Sequence, residues 1–401
     1  MKWLLSIGAG VEQVEPIKIA QAMGYKVVAM DGNANAPGLN IADRSLNIDI
    51  SDKVEVLTEV RKCNVSGIIP SPIGKCLTTI GLINDELSFP GISAAAAERC
   101  TNKKIFHDLL SRNHFLRPSQ SEVFQMTQIP LELKFNDYPL IIKPCNGSGS
   151  KGVIVVQSEE ELEQALMDLS KLEEVQDWLI ESFIEGTEYG VDAVVIDGKF
   201  QLLMIREKTL SNLPYRQAIQ VSGPANLTEL QIKSIAECLE RAAQVLEMNN
   251  CILHADVLLL QEGVCIIEMA GRPSGQMISS NIIPLATGLN VIQEGIKISL
   301  GINADFTIND SRPVALTYFT HSIHPKIIEK YEKNGEILKF KQTEHDSSDV
   351  IQITNGTDLS GAGYIITTGL NLAEAQSIGD TIIKQGGDYN EDRSEYSKIK
   401  Q

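Results

Sequence analysis

Two apolar runs, residues 252–260 and 264–272, flank the short turn Gln261, Glu262, Gly263, and together they read as a β-hairpin. With a three-residue loop, Leu260 pairs with Val264, and counting back along the ladder places Asp256 directly opposite Glu268. Like charges facing each other destabilise a ladder, and an unpaired carboxylate is costly in an otherwise apolar sheet. A cation is the natural remedy. Two carboxylates holding one or two Mg2+ ions that bridge ATP phosphates would turn the repulsion into a site. Arg272 falls on the same face by period-two counting, where it would suit the charge developing on a transferred phosphoryl group. His254 shares that face, and a single histidine in an apolar strand reads as a packed structural residue. The competing reading is a carboxylate pair at an exposed edge with no ligand.

Around the hairpin the chain changes pattern several times. Residues 1–97 alternate apolar runs (3–7, 26–30) with helical patterns (16–23, 54–62) before a further run at 67–70, the signature of a parallel, doubly wound sheet. Gly8, Gly10 and Asp31 resemble a dinucleotide fingerprint, with the acid roughly 20 residues on. Gln13 occupies the third glycine position, so a tight turn binding no nucleotide fits the same residues. Residues 98–115 read as a linker with a helix at 101–110. Residues 116–184 form a compact unit: strand 139–143, a glycine-rich loop, strand 153–156, a helix opened by Ser158 and Glu161 as a capping box, and strand 178–184. Leu162, Leu166 and Leu169 give that helix one apolar face. Residues 185–305 carry further strands and a helix after Thr228. Residues 306–385 carry a strand at 364–367, a turn at Gly369 and a short helix from Leu372, and 386–401 is a polar tail. The expected fold class is α/β with α+β in a multidomain chain.

Acidic residues outnumber basic ones, 52 to 35, for a net charge of −17, so nucleic acid and anionic membrane surfaces are disfavoured as partners. The chain reaches Gly8 before a secretory apolar region forms, and no apolar stretch nears the ~18 residues of a spanning helix, which makes the cytoplasm the expected compartment. Seven cysteines, an odd number without a CxxC pair, fit reduced thiols better than a disulfide frame or zinc cluster.

Two further strings carry chemistry. From Lys143 to Gly152, small residues including Ser148, Gly149 and Ser150 would let backbone N–H groups approach a phosphate. A strand follows rather than a helix, and the GK[ST] ending is absent, so this is a hairpin flap and not a Walker loop. An ordinary Gly-Ser hairpin is the alternative. Between Glu181 and Glu188, free main-chain groups at a strand end suit an adenine edge, and a carboxylate one turn later suits both ribose hydroxyls.

In this order, with Thr101-Asn102-Lys103 before them and Gly363-Tyr364-Ile365-Ile366 after them, the strings resemble the ATP-grasp superfamily of carboxylate–amine ligases, near its carbamoyl-phosphate-synthase-like and biotin-carboxylase-like members. The resemblance covers most of the chain, from Gly8 to about Glu374. It implies that Lys103 and Lys143 contact ATP, with Ser148, Gly149, Ser150 and Gly152 as the flap. It also implies that Glu181, Phe183 and Ile184 line the adenine hinge, that Glu188 binds ribose, and that Asp256 and Glu268 hold Mg2+ or Mn2+. Either Arg206 or Lys208 would touch the phosphates, and Arg272 would stabilise the transferring group. Tyr215, Arg216, Ser274 and Gly275 would face the acceptor, Arg216 as a carboxylate clamp against a plain surface arginine. One departure stands out: Ala270 occupies the position where the family commonly has Asn as a metal ligand.

The reaction so implied is ADP-forming: a small carboxylate, an amino acid by resemblance to amino-acid ligases, is activated as an acyl phosphate and attacked by an amine. The partners are then small-molecule substrates, with a homodimer as one assembly open to the chain. A purine-pathway carboxylase or formyl-transferring ligase is the second enzyme reading, favoured by Ala270 and Arg272-Pro273. A catalytically impaired nucleotide-binding subunit is suggested by Ala270 alone. A NAD-dependent dehydrogenase built on Gly8 and Gly10 leaves the hairpin and flap unexplained.

Overall fold

The computed structural model describes residues 2–125, 137–145, 152–170, 177–213, 216–319, 323–342 and 363–386. At the N-terminus β1 (Trp3–Ile7), β2 (Lys26–Asp31) and β3 (Arg44–Asn47) form the expected parallel sheet, and Ile68 bridges to Leu5 at its other edge. Leu4, Leu5, Val27, Val28, Ala29 and Met30 are all buried, as a sheet covered on both faces requires. Helix α1 (Val11–Ala22) starts earlier than the pattern indicated, because Pro16, which favours a first helical turn, lies inside it. The early start brings Gly10, Val11 and Glu12 to the edge of a central cleft.

Helices α2 (Lys53–Cys63), α3 (Leu77–Leu87) and α4 (Ala94–Thr101) complete this region. The expected linker helix is broken at Asn102, whose side-chain oxygen accepts from the N–H groups of Lys104 and Ile105 and opens α5 (Lys103–Arg112). The break places Lys103 on the cleft wall.

A four-stranded antiparallel sheet follows, in the order β4 (Ser121–Gln125), β7 (Asp177–Ser182), β5 (Leu140–Pro144), β6 (Ile154–Val156). Leu162, Leu166 and Leu169 of α6 (Glu159–Leu169) pack on it with Trp178 and Ile180. Ser158 caps α6 as expected, but the Glu161 carboxylate accepts from the N–H of Gln157 rather than of Ser158, so the reciprocal half of the capping box is shifted by one residue.

The largest sheet has eight strands. Its order is β12 (Val264–Ala270), β11 (Cys251–Leu259), β8 (Thr187–Ile196), β9 (Lys199–Leu210), β10 (Ala218–Gly223), β13 (Val314–Tyr318), β15 (Gly363–Thr368), β14 (Ile337–Gln342). Residues beyond 306 therefore do not form a sheet of their own: β13 pairs with β10 and carries the C-terminal strands into the central sheet. Helix α7 (Glu229–Val245), opened by a complete capping box between Thr228 and Gln231, covers one face through Ile235, Leu239 and Ala242, which share a core with Leu5, Val28 and Leu253. Helices α8 (Ile283–Thr287), α9 (Val291–Ser299) and α10 (Pro325–Lys333) follow, and the helix expected from Leu372 is α11 (Leu372–Gly386), 15 residues long. All seven cysteines are unbridged. Among the described residues no helix is long and apolar enough to cross a membrane.

Candidate active site

Asp256 and Glu268 do face each other, by a route the pattern did not reveal. The loop is longer than expected, Leu260 N–H closing on Gly263 O at 2.9 Å, so Leu259 rather than Leu260 pairs with Val264. Pairing continues through Val257 and Ile266, then skips Ile267, and this bulge restores the register to Asp256 opposite Glu268 and His254 opposite Ala270. On the other side of β11, Asp256 is level with Gly190 and His254 with Asp192, while Arg206 lies across from Gly190 on β9. Successive side chains on a strand alternate faces, so Glu268, His254, Asp256, Glu188, Asp192, Arg206 and Lys208 share one face across four strands. That face floors a cleft of about 1030 Å3.

Charge on this face is arranged in two layers. Lys208 Nζ lies 2.7 Å from Glu188 and 2.5 Å from Asp256 Oδ2. Burial works against the lysine's charge, but Asp256 and Glu188 outweigh it and raise its pKa. Arg206 is fully buried beneath: its Nε donates to Asp192 at 2.6 Å and its Nη2 to Ser274 Oγ at 3.2 Å. Gly190 makes room for it, since a Cβ there would sit 2.5 Å from Nη1. Of the two candidates for phosphate contact, Lys208 is thus the one placed against Glu188 and Asp256, while Arg206 is bound into the floor. Ser274 is likewise not a free acceptor-side group, because its hydroxyl donates to Asp192 and is met by Arg206 and His254. Neither Asp192 nor His254 had been assigned to a site. Asp192 had a signal: it is the lone carboxylate in the apolar run 189–196.

His254 turns Nδ1 to Ser274 Oγ at 3.0 Å and Nε2 toward the carboxylates, 3.8 Å from Asp256 Oδ1 and 3.6 Å from Glu268 Oε1. Burial opposes ionisation of Glu268, but His254, Lys103 and Arg272 outweigh it and hold its pKa well below the usual carboxylate range. Four buried polar atoms of cleft-lining residues lack a hydrogen-bond partner among the described residues: Asp256 Oδ1, Arg206 Nη1, Glu181 Oε2 and Gln217 Nε2. Buried groups of this kind call for a ligand, water or ion. The oxygen-rich donor set of Asp256 and Glu268 fits Mg2+ or Mn2+.

One end of the cleft is built from β5, β7 and α5. Lys143 Nζ bonds Glu181 Oε1, and Glu181 Oε2 lies 3.4 Å from His107 Nδ1 and 3.8 Å from Arg117. Burial would raise the Glu181 pKa, yet the Lys143 ammonium and the Arg117 guanidinium lower it. Burial drives the His107 pKa down to about 3 against the pull of Glu181, so this imidazole is neutral at pH 7. The His107 and Arg117 contacts were not foreseen, because neither residue sits in a recognisable string. Phe183 N–H donates to Pro139 O at 2.9 Å, and Phe183 and Ile184 line the cleft here. The Arg216 guanidinium lies 5.2 Å over the Phe183 ring and 3.7 Å from Glu188. It therefore sits beside Phe183 and Glu188, the residues expected at the adenine hinge and ribose, rather than beside Ser274. Gly152 (φ +75°) packs against Trp178, leaving Val153 on the cleft. Ser148, Gly149, Ser150 and Tyr215 lie outside the described residues.

The opposite end gathers Gly10, Glu12, Arg272, Gly275, Gln276 and Lys341. Met277 N–H donates to Glu12 Oε2 at 3.4 Å, and Gln276 and Met277 both have positive φ (55° and 62°) that turn their backbone toward it. Burial raises the Glu12 pKa, with Arg272 and Lys341 pulling the other way. The dinucleotide fingerprint is absorbed by structure. Asp31 accepts from Ala9 N–H at 2.7 Å and Asn33 N–H at 2.8 Å, so both oxygens are committed to backbone, and Gln13 bonds Pro72 O.

Residues 136–281 match the model of the ATP-grasp domain. A formate-dependent phosphoribosylglycinamide formyltransferase of Prochlorococcus marinus subsp. pastoris is 26% identical over 215 residues, 53% of this chain and 53% of the relative, so the chain spans about half the length of that relative. The structure aligns with an L-amino acid ligase from Bacillus licheniformis at a TM-score of 0.81 and 20% identity, covering 96% of this chain and 98% of the other. It aligns with a phosphoribosylglycinamide synthetase from Anaerococcus prevotii at 0.73 and 20% identity, with the same coverage. The chain thus carries an ATP-grasp domain over residues 136–281, within a fold that it shares over nearly its whole length with these two solved structures.

Proposed function

We propose that this chain is an ADP-forming carboxylate–amine ligase that activates a small carboxylate as an acyl phosphate. The observation that carries this is the single sheet face that Asp256, Glu268 and Lys208 share, in the same cleft as the Lys143–Glu181 pair and the Glu12–Arg272 group. ATP would lie with its base against Glu181, Phe183 and Ile184 and its ribose at Glu188, once Glu188 exchanges part of its pairing with Lys208. Asp256 and Glu268 would hold Mg2+ or Mn2+, which when bound neutralises phosphate charge and orients the transferred group. Lys103, Lys143, Lys208 and Arg272 supply fixed positive charge along the phosphate path in a desolvated cleft, where such charge acts strongly. No side-chain nucleophile is required, so catalysis is positioning and charge stabilisation. In this scheme the N-terminal sheet, the four-stranded flap and the central sheet each supply one wall.

The acceptor is an amino compound carrying its own charge pair. Glu12 beside Arg272 and Lys341 offers both signs at one end of the cleft, which matches the ammonium and carboxylate of an amino acid. The phosphoribosylglycinamide enzymes among its relatives support a second reading, a phosphorylated acceptor, but its phosphate would then approach Glu12. A screen for ATP-dependent phosphate release across amino-acid pairs, formate, bicarbonate and phosphoribosyl amines identifies the substrates. With the active pair in hand, Glu12→Gln is expected to raise the amine KM about tenfold or more, since a charge-assisted hydrogen bond is worth roughly 1.5–3 kcal/mol, and to leave the ATP KM near wild type. An unchanged amine KM would remove Glu12 from the acceptor site and favour the phosphorylated acceptor.

A further inference from the structure

We propose that His254 is a third, nitrogen-donating ligand of the divalent metal, standing in for the side-chain donor that Ala270 lacks. This rests on the metal role of Asp256 and Glu268 given above. His254 is the cross-strand partner of Ala270, so its imidazole stands beside that position on the same face of the sheet. The ligand atoms of His254, Asp256 and Glu268 all lie within 4.8 Å of one another.

Hydrogen-bond bookkeeping fixes which ring nitrogen faces them. Ser274 has one hydroxyl proton and directs it at the Asp192 carboxylate, which is paired with Arg206 and can only accept. Ser274 Oγ must then receive Nη2–H of Arg206 and Nδ1–H of His254. Nδ1 is thereby engaged with Ser274, and Nε2 is the ring nitrogen that faces the two carboxylates, one of which leaves Asp256 Oδ1 without a hydrogen-bond partner among the described residues; a metal bound there would displace any proton on Nε2. One nitrogen and two carboxylate oxygens converging on the cleft floor suit a cation. An N–H donated by the ligand histidine to an oxygen behind it is also how metal-bound imidazoles are oriented. Asp192, Arg206 and Ser274 would thus act as positioning residues for the metal through His254. An imidazole among oxygen donors favours Mn2+ over Mg2+ relative to an all-oxygen site.

The test is pulsed EPR on the full-length protein with Mn2+ and ADP. Electron spin-echo modulation from a directly bonded 14N nucleus is expected in the wild type. It should change to the 15N pattern on uniform 15N-histidine labelling and vanish in His254→Gln. Mn2+ bound with no nitrogen modulation, or modulation that survives His254→Gln, would overturn the assignment of His254 while leaving the carboxylate site intact. Failure of Mn2+ to bind at all in the presence of ADP would overturn both. Because labelling leaves the wild-type chain unaltered, the result stands even if the variant folds poorly.

Discussion

Asp256→Asn and Glu268→Gln are each expected to cut ATP-dependent turnover by about a thousandfold or more, the scale of losing several kcal/mol of charge stabilisation at a transferring phosphoryl group. The double variant should be little worse than either single one, because one loss already disables a shared metal. The same pair separates in stability. Asp256 lies 2.5 Å from the buried Lys208 ammonium, so Asp256→Asn strips a partner from a buried cation and should lower the ligand-free protein's melting temperature. Glu268 faces Asp256 directly but is held ionised by His254, Lys103 and Arg272, so Glu268→Gln trades one relieved repulsion for lost attractions and should lower the melting temperature less than Asp256→Asn does. Scanning calorimetry of the two variants, read beside their rates, checks both halves. Rate losses that are small and multiply in the double variant would mean the carboxylates do not share an ion.

Arg206→Ala should be the most destabilising single change in the floor of the site. Arg206 and Asp192 are both wholly buried, and removing one member of such a pair leaves an uncompensated charge, a loss of about 3–5 kcal/mol by urea denaturation. Replacing the pair together by apolar residues, Asp192→Leu with Arg206→Met, should recover much of that stability, since buried ion pairs often exchange for hydrophobic packing at little cost. Turnover would remain low in the double variant, because Ser274 and His254 lose the groups that hold them. An Arg206→Ala protein of wild-type stability that fails to release phosphate would instead make Arg206 a catalytic residue.

How much of this was legible beforehand follows from where each residue gets its partner. The facing of Asp256 and Glu268 depends only on alternation within one hairpin, and it emerged although the loop length was misjudged. Loop and bulge shift the register in opposite senses, and in the apolar run Val264 to Ile267 no polar residue marks which face is which, so the bulge at Ile267 leaves no trace in the pattern. The Asp192–Arg206 pair spans the β8–β9 hairpin, whose turn at Asp197 and Gly198 (φ 49° and 76°) carries the Asp-Gly signal of a two-residue loop. Counting from that turn brings the two residues near each other, so this part of the floor is legible in the sequence. Arg117, His107 and Glu181 come from three different elements, and only packing unites them. Glu12 was hidden for a different reason: it sits in a glycine-rich string that invites a nucleotide-binding interpretation, whereas its partner Met277 is 265 residues away.

The acyl-phosphate step itself is tested most directly by following oxygen. With the carboxylate substrate labelled with 18O, turnover is expected to yield ADP and inorganic phosphate in equal amounts, each phosphate carrying one 18O from the carboxylate, because the carboxylate oxygen that attacks the γ-phosphorus departs with phosphate when the amine adds. AMP and pyrophosphate as the products, or phosphate free of the label, would contradict it.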